Sequence, residues 1–111
     1  MDENKWTIMI KAMRLSSRYS LRAAAKELNI SAPYLFDVES GKRPPTKKLV
    51  SSIINLYGLN DENKRILFDA AAEASDSIPY DVEEFIKGNP ETIPKIRKMM
   101  IKKRKGKKAK H

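Results

Sequence analysis

The stretch Ser20 to Ser40, SLRAAAKELNISAPYLFDVES, constrains this chain more than any other, because it holds two short helical patterns joined by a tight polar turn. Leu21, Ala24, Ala25 and Leu28 recur at i, i+3, i+4 and i+7, so the first pattern has one apolar face, with Arg22, Lys26 and Glu27 off it. Ser20 stands where that helix needs an N-cap, and Asn29, Ile30 and Ser31 make the turn. The second pattern begins after Ser31, another favoured N-cap, and carries Pro33 in its first turn, where a missing N–H is no loss. It stops at Gly41.

On a helical wheel, Tyr34, Leu35, Val38 and Glu39 share one arc, while Ala32, Pro33, Phe36, Asp37 and Ser40 occupy the other. Helices this short do not stand alone, so one arc is buried and the other stays free. Ala23, Ala24 and Ala25 add no bulk to the first helix and let the second cross it closely. This is the geometry of a helix-turn-helix, in which the second helix is offered to the DNA major groove. An alanine-rich helix pair inside an ordinary helical core shows the same local pattern.

The charge distribution bears on that choice. The net charge of +9 is uneven: residues 41–50 hold four basic residues and no acid, and residues 91–111 hold ten basic and one acidic. Residues 51–90 hold three basic and eight acidic residues. Positive charge directly after the second helix and at the C-terminus favours a polyanionic partner. With no cysteine, the chain has no disulfide, thiol nucleophile or cysteine metal site. No apolar run reaches membrane-spanning length, and an acidic start in place of a signal peptide leads to the expectation of a cytoplasmic, nucleoid-associated protein.

SLRAAAKELNIS followed by YLFDVESGKRPPT resembles the helix-turn-helix domain of the lambda Cro/cI and XRE-like transcriptional regulators, with the loose consensus SLRELAEKLGIS and YLSxIExGKRxPS. The likeness is strict over Ser20 to Thr46 and looser from Trp6 to Tyr57. It implies an all-α, lambda repressor-like five-helix domain, here followed by a short helical extension. It also implies that Arg14 pairs with Glu39 at the end of the second helix, partly buried, and fixes how that helix is presented. Three positions depart from the family pattern. Asn29 stands where glycine is frequent, which asparagine's tolerance of positive φ accommodates. Phe36 replaces a small polar residue, and Ala32 and Pro33 stand where base-reading glutamines or serines are usual. Apolar contact with thymine methyl groups is the readout these side chains permit, with Asp37 available to accept from a cytosine amino group.

In chain order, Asp2 or Asn4 is expected to cap a first helix with Trp6, Met9, Ile10 and Met13 in the core, ending near Ser16 or Ser17. After Gly41, the loop Lys42-Arg43-Pro44-Pro45 and the following Lys47 and Lys48 concentrate charge suited to phosphates, with Thr46 as the cap of a fourth, core helix ending at Gly58. Asn60 or Asp61 starts a fifth helix with Ile66, Leu67, Ala70, Ala71 and Ala74 inward. The DNA-binding domain is thus read as residues 1–75, a helical extension as 76–101 and a disordered basic tail as 102–111. In the extension, Val82, Phe85 and Ile86 line a helix stopped by Gly88, and Asn89-Pro90 caps a last helix through Ile93, Ile96, Met99 and Met100. This stripe is expected to pack on the same core, with a dimer seam as the alternative, and to share dimerisation with the fifth helix. The tail KKRKGKKAKH has eight basic residues, counting His111, and no acid, so it is expected to raise nonspecific affinity for phosphates.

No enzyme site emerges. The only histidine is terminal, Glu83 and Glu84 point to different sides of a helix, and no phosphate loop or metal-spaced ligand set is present. The expected partner is double-stranded DNA, with no cofactor, no membrane and no small-molecule ligand. The expected contacts are Ser20, Arg22, Ser31, Ala32, Pro33, Phe36, Asp37, Ser40, Lys42, Arg43 and Lys47. A repressor dimer on a palindromic operator is the leading reading. The alternative is a protein-interaction module on the same fold, such as an antitoxin, an inhibitor or a phage accessory protein, using Phe36 and Pro33 as its contact surface. RNA binding is a weaker third, since the stacking-sheet motifs are missing.

Overall fold

Side chains supplied by the sequence start the first five helices. The computed structural model describes residues 4–109, with the side chains of residues 4–106. Asp2, the alternative first cap, and the end of the basic tail at residues 110 and 111 lie outside the described residues. The helices are α1 (Lys5–Ser16), α2 (Leu21–Glu27), α3 (Ala32–Glu39), α4 (Lys47–Tyr57), α5 (Asp61–Ser75), α6 (Tyr80–Gly88) and α7 (Thr92–Ala109), and no strand occurs among the described residues. Asn4 Oδ1 accepts from the Thr7 amide at 2.9 Å, and the Asn4 amide donates back to Thr7 Oγ1 at 3.0 Å. Ser20, Ser31, Thr46 and Asn60 accept the amide three residues on at 3.0, 3.2, 3.2 and 2.8 Å. Each such cap contributes about 1 kcal/mol.

The same five helices also end alike. After each, one residue turns left-handed, and the next amide reaches back to a carbonyl in the last turn. The left-handed residues are Arg18 (φ 59°), Asn29 (φ 58°), Gly41 (φ 83°), Gly58 (φ 56°) and Asp76 (φ 49°). The closing bonds run from the amides of Tyr19, Ile30, Lys42, Leu59 and Ser77 to the carbonyls of Arg14, Ala25, Asp37, Ile54 and Ala72, at 2.9 to 3.2 Å. Orphan carbonyls are thereby satisfied and each helix stops sharply, which is how helices of seven and eight residues fit into one small core.

That core is Trp6 and Ile10 of α1, Ala24, Ala25 and Leu28 of the α2 region, Leu35 and Val38 of α3, Leu49, Val50 and Ile53 of α4, and Leu67, Ala70 and Ala71 of α5. α1 packs on α5 and α3, α2 on α3, and α4 on α5. Ala24 and Ala25 are buried and add no bulk to the face of α2 that packs in the core with α3. Ile66, expected inward, lies exposed at the edge of the α5 stripe, while Ala72 is buried and Phe68 half-buried.

The chain divides into two compact units, one up to Tyr80 and one from Asp81. The division falls at Tyr80, beyond the expected break after Ser75, because the Tyr80 ring packs on the first unit's core and its hydroxyl donates to the Pro45 carbonyl at 3.4 Å. In the second unit, α7 starts at Thr92 instead of after an Asn89 cap. The proline in its first turn is Pro94, and a start at Pro90 would put Pro94 where the helix requires an amide donor. Within the second unit no residue of α6 is buried, and Ile93, Ile96, Met99 and Met100 are exposed. The basic stretch from Lys102, expected to be disordered, continues α7 through Ala109. Extending an existing helix costs no nucleation, and lysine and arginine are good helix formers.

Arg18 is the one long side chain among the five left-handed positions, and it is exposed. Arg18→Gly is expected to raise stability by about 1 kcal/mol by relieving the left-handed strain. A shift of the urea midpoint to higher concentration at unchanged slope checks this; an unchanged or lower midpoint contradicts it.

Candidate nucleic-acid interface

α3 is amphipathic in the sense that matters for a reading helix: Leu35 and Val38 are buried on one side, while Ser31, Pro33 and Phe36 are exposed on the other. Phe36 is 52% exposed and is the one large apolar side chain of α3 that is. Ala32, Asp37 and Ser40 are half-buried. Ser20 and Ser31 spend an oxygen lone pair on their caps and keep a hydroxyl hydrogen to donate. The Ser40 hydroxyl instead donates to the Asp37 carbonyl at 3.2 Å.

Gly41 is what delivers the basic loop to this helix. Its left-handed backbone lets the Lys42 and Arg43 amides both bond the Asp37 carbonyl, at 2.9 and 3.2 Å, so the loop folds back on the last turn of α3. Arg43 Nε then lies 3.8 Å from the Asp37 carboxylate, and its guanidinium 5.9 Å from the centre of the Tyr34 ring. Pro44 and Pro45 stiffen the exit, and Lys47 at the start of α4 stands 5.7 Å over the Tyr80 ring. Lys42, Arg43, Lys47 and Lys48 are all exposed, as is Arg22 on α2. Tyr34 and Tyr80 were not legible as partners of these cations, because helical spacing carries no information about contacts between elements.

The orientation of α3 rests on Arg14. Its Nε and Nη2 donate to the two Glu39 oxygens at 2.7 and 3.0 Å, and Nη1 donates to the Tyr19 carbonyl at 3.0 Å. The two side chains are only 11% and 7% exposed. The Glu39 hydrogen bond holds the Arg14 guanidinium above its ordinary pKa, against the opposing pull of burial. Beside the pair, burial pushes the Tyr57 phenol up, with the Glu39 charge adding and the Arg14 charge opposing. Tyr57 meets Tyr19 edge-on at 6.2 Å, and both rings pack against the core.

A short capped helix with a free apolar and polar face, crossed closely by a preceding helix and followed by an exposed cationic loop, defines a DNA-binding helix-turn-helix regulator. Residues 10–62 match the helix-turn-helix family model, and the domain they form belongs to that family, of the XRE and Cro/cI type. No curated protein and no solved structure matches the chain. No described helix is long and apolar enough to cross a membrane, and the described residues hold no cluster of side chains suited to a metal ion.

Arg14→Ala is expected to cost about 3–5 kcal/mol, since it leaves the Glu39 carboxylate buried without its fork. Chemical denaturation of the variant checks this. A loss no greater than that of an exposed lysine substitution would mean that the pair does not hold α3.

Proposed function

We propose that the protein is a sequence-specific transcriptional repressor, acting at the nucleoid as a homodimer on a palindromic operator. α3 enters the major groove, and Arg22, Lys42, Arg43 and Lys47 contact phosphates, assisted by Ser20, Ser31 and the basic C-terminal stretch. The observation that carries this reading is the exposed Phe36 on a helix whose opposite side buries Leu35 and Val38, with Arg43 folded back against that helix. Phosphate contacts set docking without reading sequence, so discrimination falls to Ala32, Pro33 and Phe36. Their apolar surfaces match thymine C5-methyl groups. Asp37 accepts from a cytosine amino group or stays with Arg43, and it penalises registers that bring a phosphate against it. DNA shape adds specificity at bases not touched.

The same exposed Phe36 also supports the second reading, a protein-interaction module on this fold with Phe36 and Pro33 at its centre. Selection from a random duplex pool separates the two. The expected result is a two-fold symmetric site with thymines at two or more positions in each half-site, and a loss of about 1 kcal/mol or more of affinity for each preferred thymine replaced by uracil. Failure to enrich any sequence favours the protein-contact reading. Enrichment with no dependence on the methyl groups removes Phe36 from base readout.

A further inference from the structure

Among the described residues, the second unit carries exposed apolar surface. Phe85 is 60% exposed and Met99 69%, and Val82, Ile93, Ile96 and Met100 are exposed as well. The turn between α6 and α7 is tied, not slack. The Asn89 amide donates to the Ile86 carbonyl at 3.1 Å, the Asn89 side chain donates to the Phe85 carbonyl at 2.9 Å, and Thr92 bonds back to the Asn89 carbonyl through both its amide and its hydroxyl at 2.9 and 2.7 Å. With the turn fixed this way, the middle of the α6 stripe at Phe85 and of the α7 stripe at Met99 both stay exposed, so the hairpin does not close over them. A segment this short does not bury a core by itself and needs association to do so.

The charges beside the two stripes say what closes it. On α6, Val82, Phe85 and Ile86 form one arc, with Asp81 next to Phe85 on one side and Glu83 next to Ile86 on the other. Glu83 is bridged to Lys87 at 3.0 Å, an exposed pair that exchanges partners at little cost, and with Glu84 the helix keeps an excess of acid. On the first half of α7, Ile93, Ile96, Met99 and Met100 form one arc, with Lys95 on one flank and Arg97 on the other. One stripe is edged by carboxylates, the other by cations. This is the arrangement that pairs unlike helices and disfavours like ones, since α7 against α7 would bring two sets of nine cations together with no acid between them. Anionic lipid or DNA would attract α7 but repel the carboxylates edging α6.

We propose that the dimer seam is a reciprocal exchange, in which α6 of each copy packs antiparallel on α7 of the other. This deepens the dimer reading above by naming where the copies join. The seam is isologous, each copy giving one acid-edged and one base-edged helix. Phe85 of one copy meets Ile96 of the second at its middle, in the register of an opened and exchanged hairpin. The basic second half of α7 extends past the seam and remains available to phosphates.

The chain has no cysteine, which makes disulfide trapping clean. Phe85→Cys and Ile96→Cys are made separately, one with an added mass tag, and both positions are exposed in the single chain, so the domain fold is not at risk. Circular dichroism and the urea transition verify this. The full-length variants are mixed and oxidised, and light scattering gives the mass of the parent. The expected result is a dimer mass for the parent and a mixed disulfide between the two variants. Asp81→Lys with Glu83→Lys should weaken dimerisation at least ~10-fold, and mixing with a Lys95→Glu, Arg97→Glu chain should restore it. A dimer mass without the mixed disulfide overturns the seam and leaves the dimer reading standing. A monomer mass overturns both. In a Phe85→Cys, Ile96→Cys double variant, a disulfide within one chain shows that the hairpin closes on itself. Parent that sediments with phosphatidylserine vesicles while remaining monomeric shows that a lipid surface is the occupant, and either result overturns the exchange.

Discussion

The bidentate pair between Arg14 and Glu39 is the contact on which the presentation of α3 depends. It joins the last turn of α1 to the last turn of α3, and the third Arg14 hydrogen bond fixes the loop entering α2 through the Tyr19 carbonyl. A buried ion pair adds little net stability, because desolvation offsets most of the attraction, but it penalises every arrangement in which its partners separate. A pivoted α3 would keep much of its apolar burial, since Leu35 and Val38 lie in an apolar cluster that makes no directional demand. It would not keep both Glu39 oxygens within reach of one guanidinium. Arginine's planar fork therefore does what a lysine in its place would not.

Around that pair, five short helices are held by one repeated device at each end. Caps stop unpaired amides at the start, and left-handed residues satisfy carbonyls at the finish. At Gly41 this has a second effect: the left-handed turn that ends α3 also lays Lys42 and Arg43 against it. Helix termination and placement of the phosphate-facing loop are one structural event, so the reading helix and its flanking charge are positioned together. Arg43 stays exposed and only loosely held by Asp37, which leaves it free to exchange that partner for a phosphate at little cost.

Much of this was legible in the residues because its causes are local. Ser20, Ser31 and Thr46 cap helices through bonds three residues long, and the wheel of α3 separates Leu35 and Val38 from Phe36 without reference to anything else. The Arg14 and Glu39 partnership came from family resemblance, since no periodicity links positions so far apart. What escaped depended on contacts between elements. Tyr80 belongs to the first unit through a bond to Pro45, Ile66 falls outside the α5 stripe, and Tyr34 lies under Arg43. The late start of α7 was readable from Pro94, but the stronger cap signal at Asn89-Pro90 masked it. The open hairpin was not readable, because an amphipathic stripe looks the same whether its cover comes from the same chain or another.

The most direct test of α3 and its basic loop as the DNA-facing surface is a residue-by-residue map of the free and DNA-bound protein by amide spectroscopy on an isotope-labelled sample. Titration with duplex DNA should move or broaden the amides from Ser31 to Arg43, with those of Arg22 and Lys47, while amides around Ile8 and Ile66 on α1 and α5 stay in place. Changes confined to α1 and α5, or an α3 that remains unperturbed while duplex binds elsewhere, would contradict it.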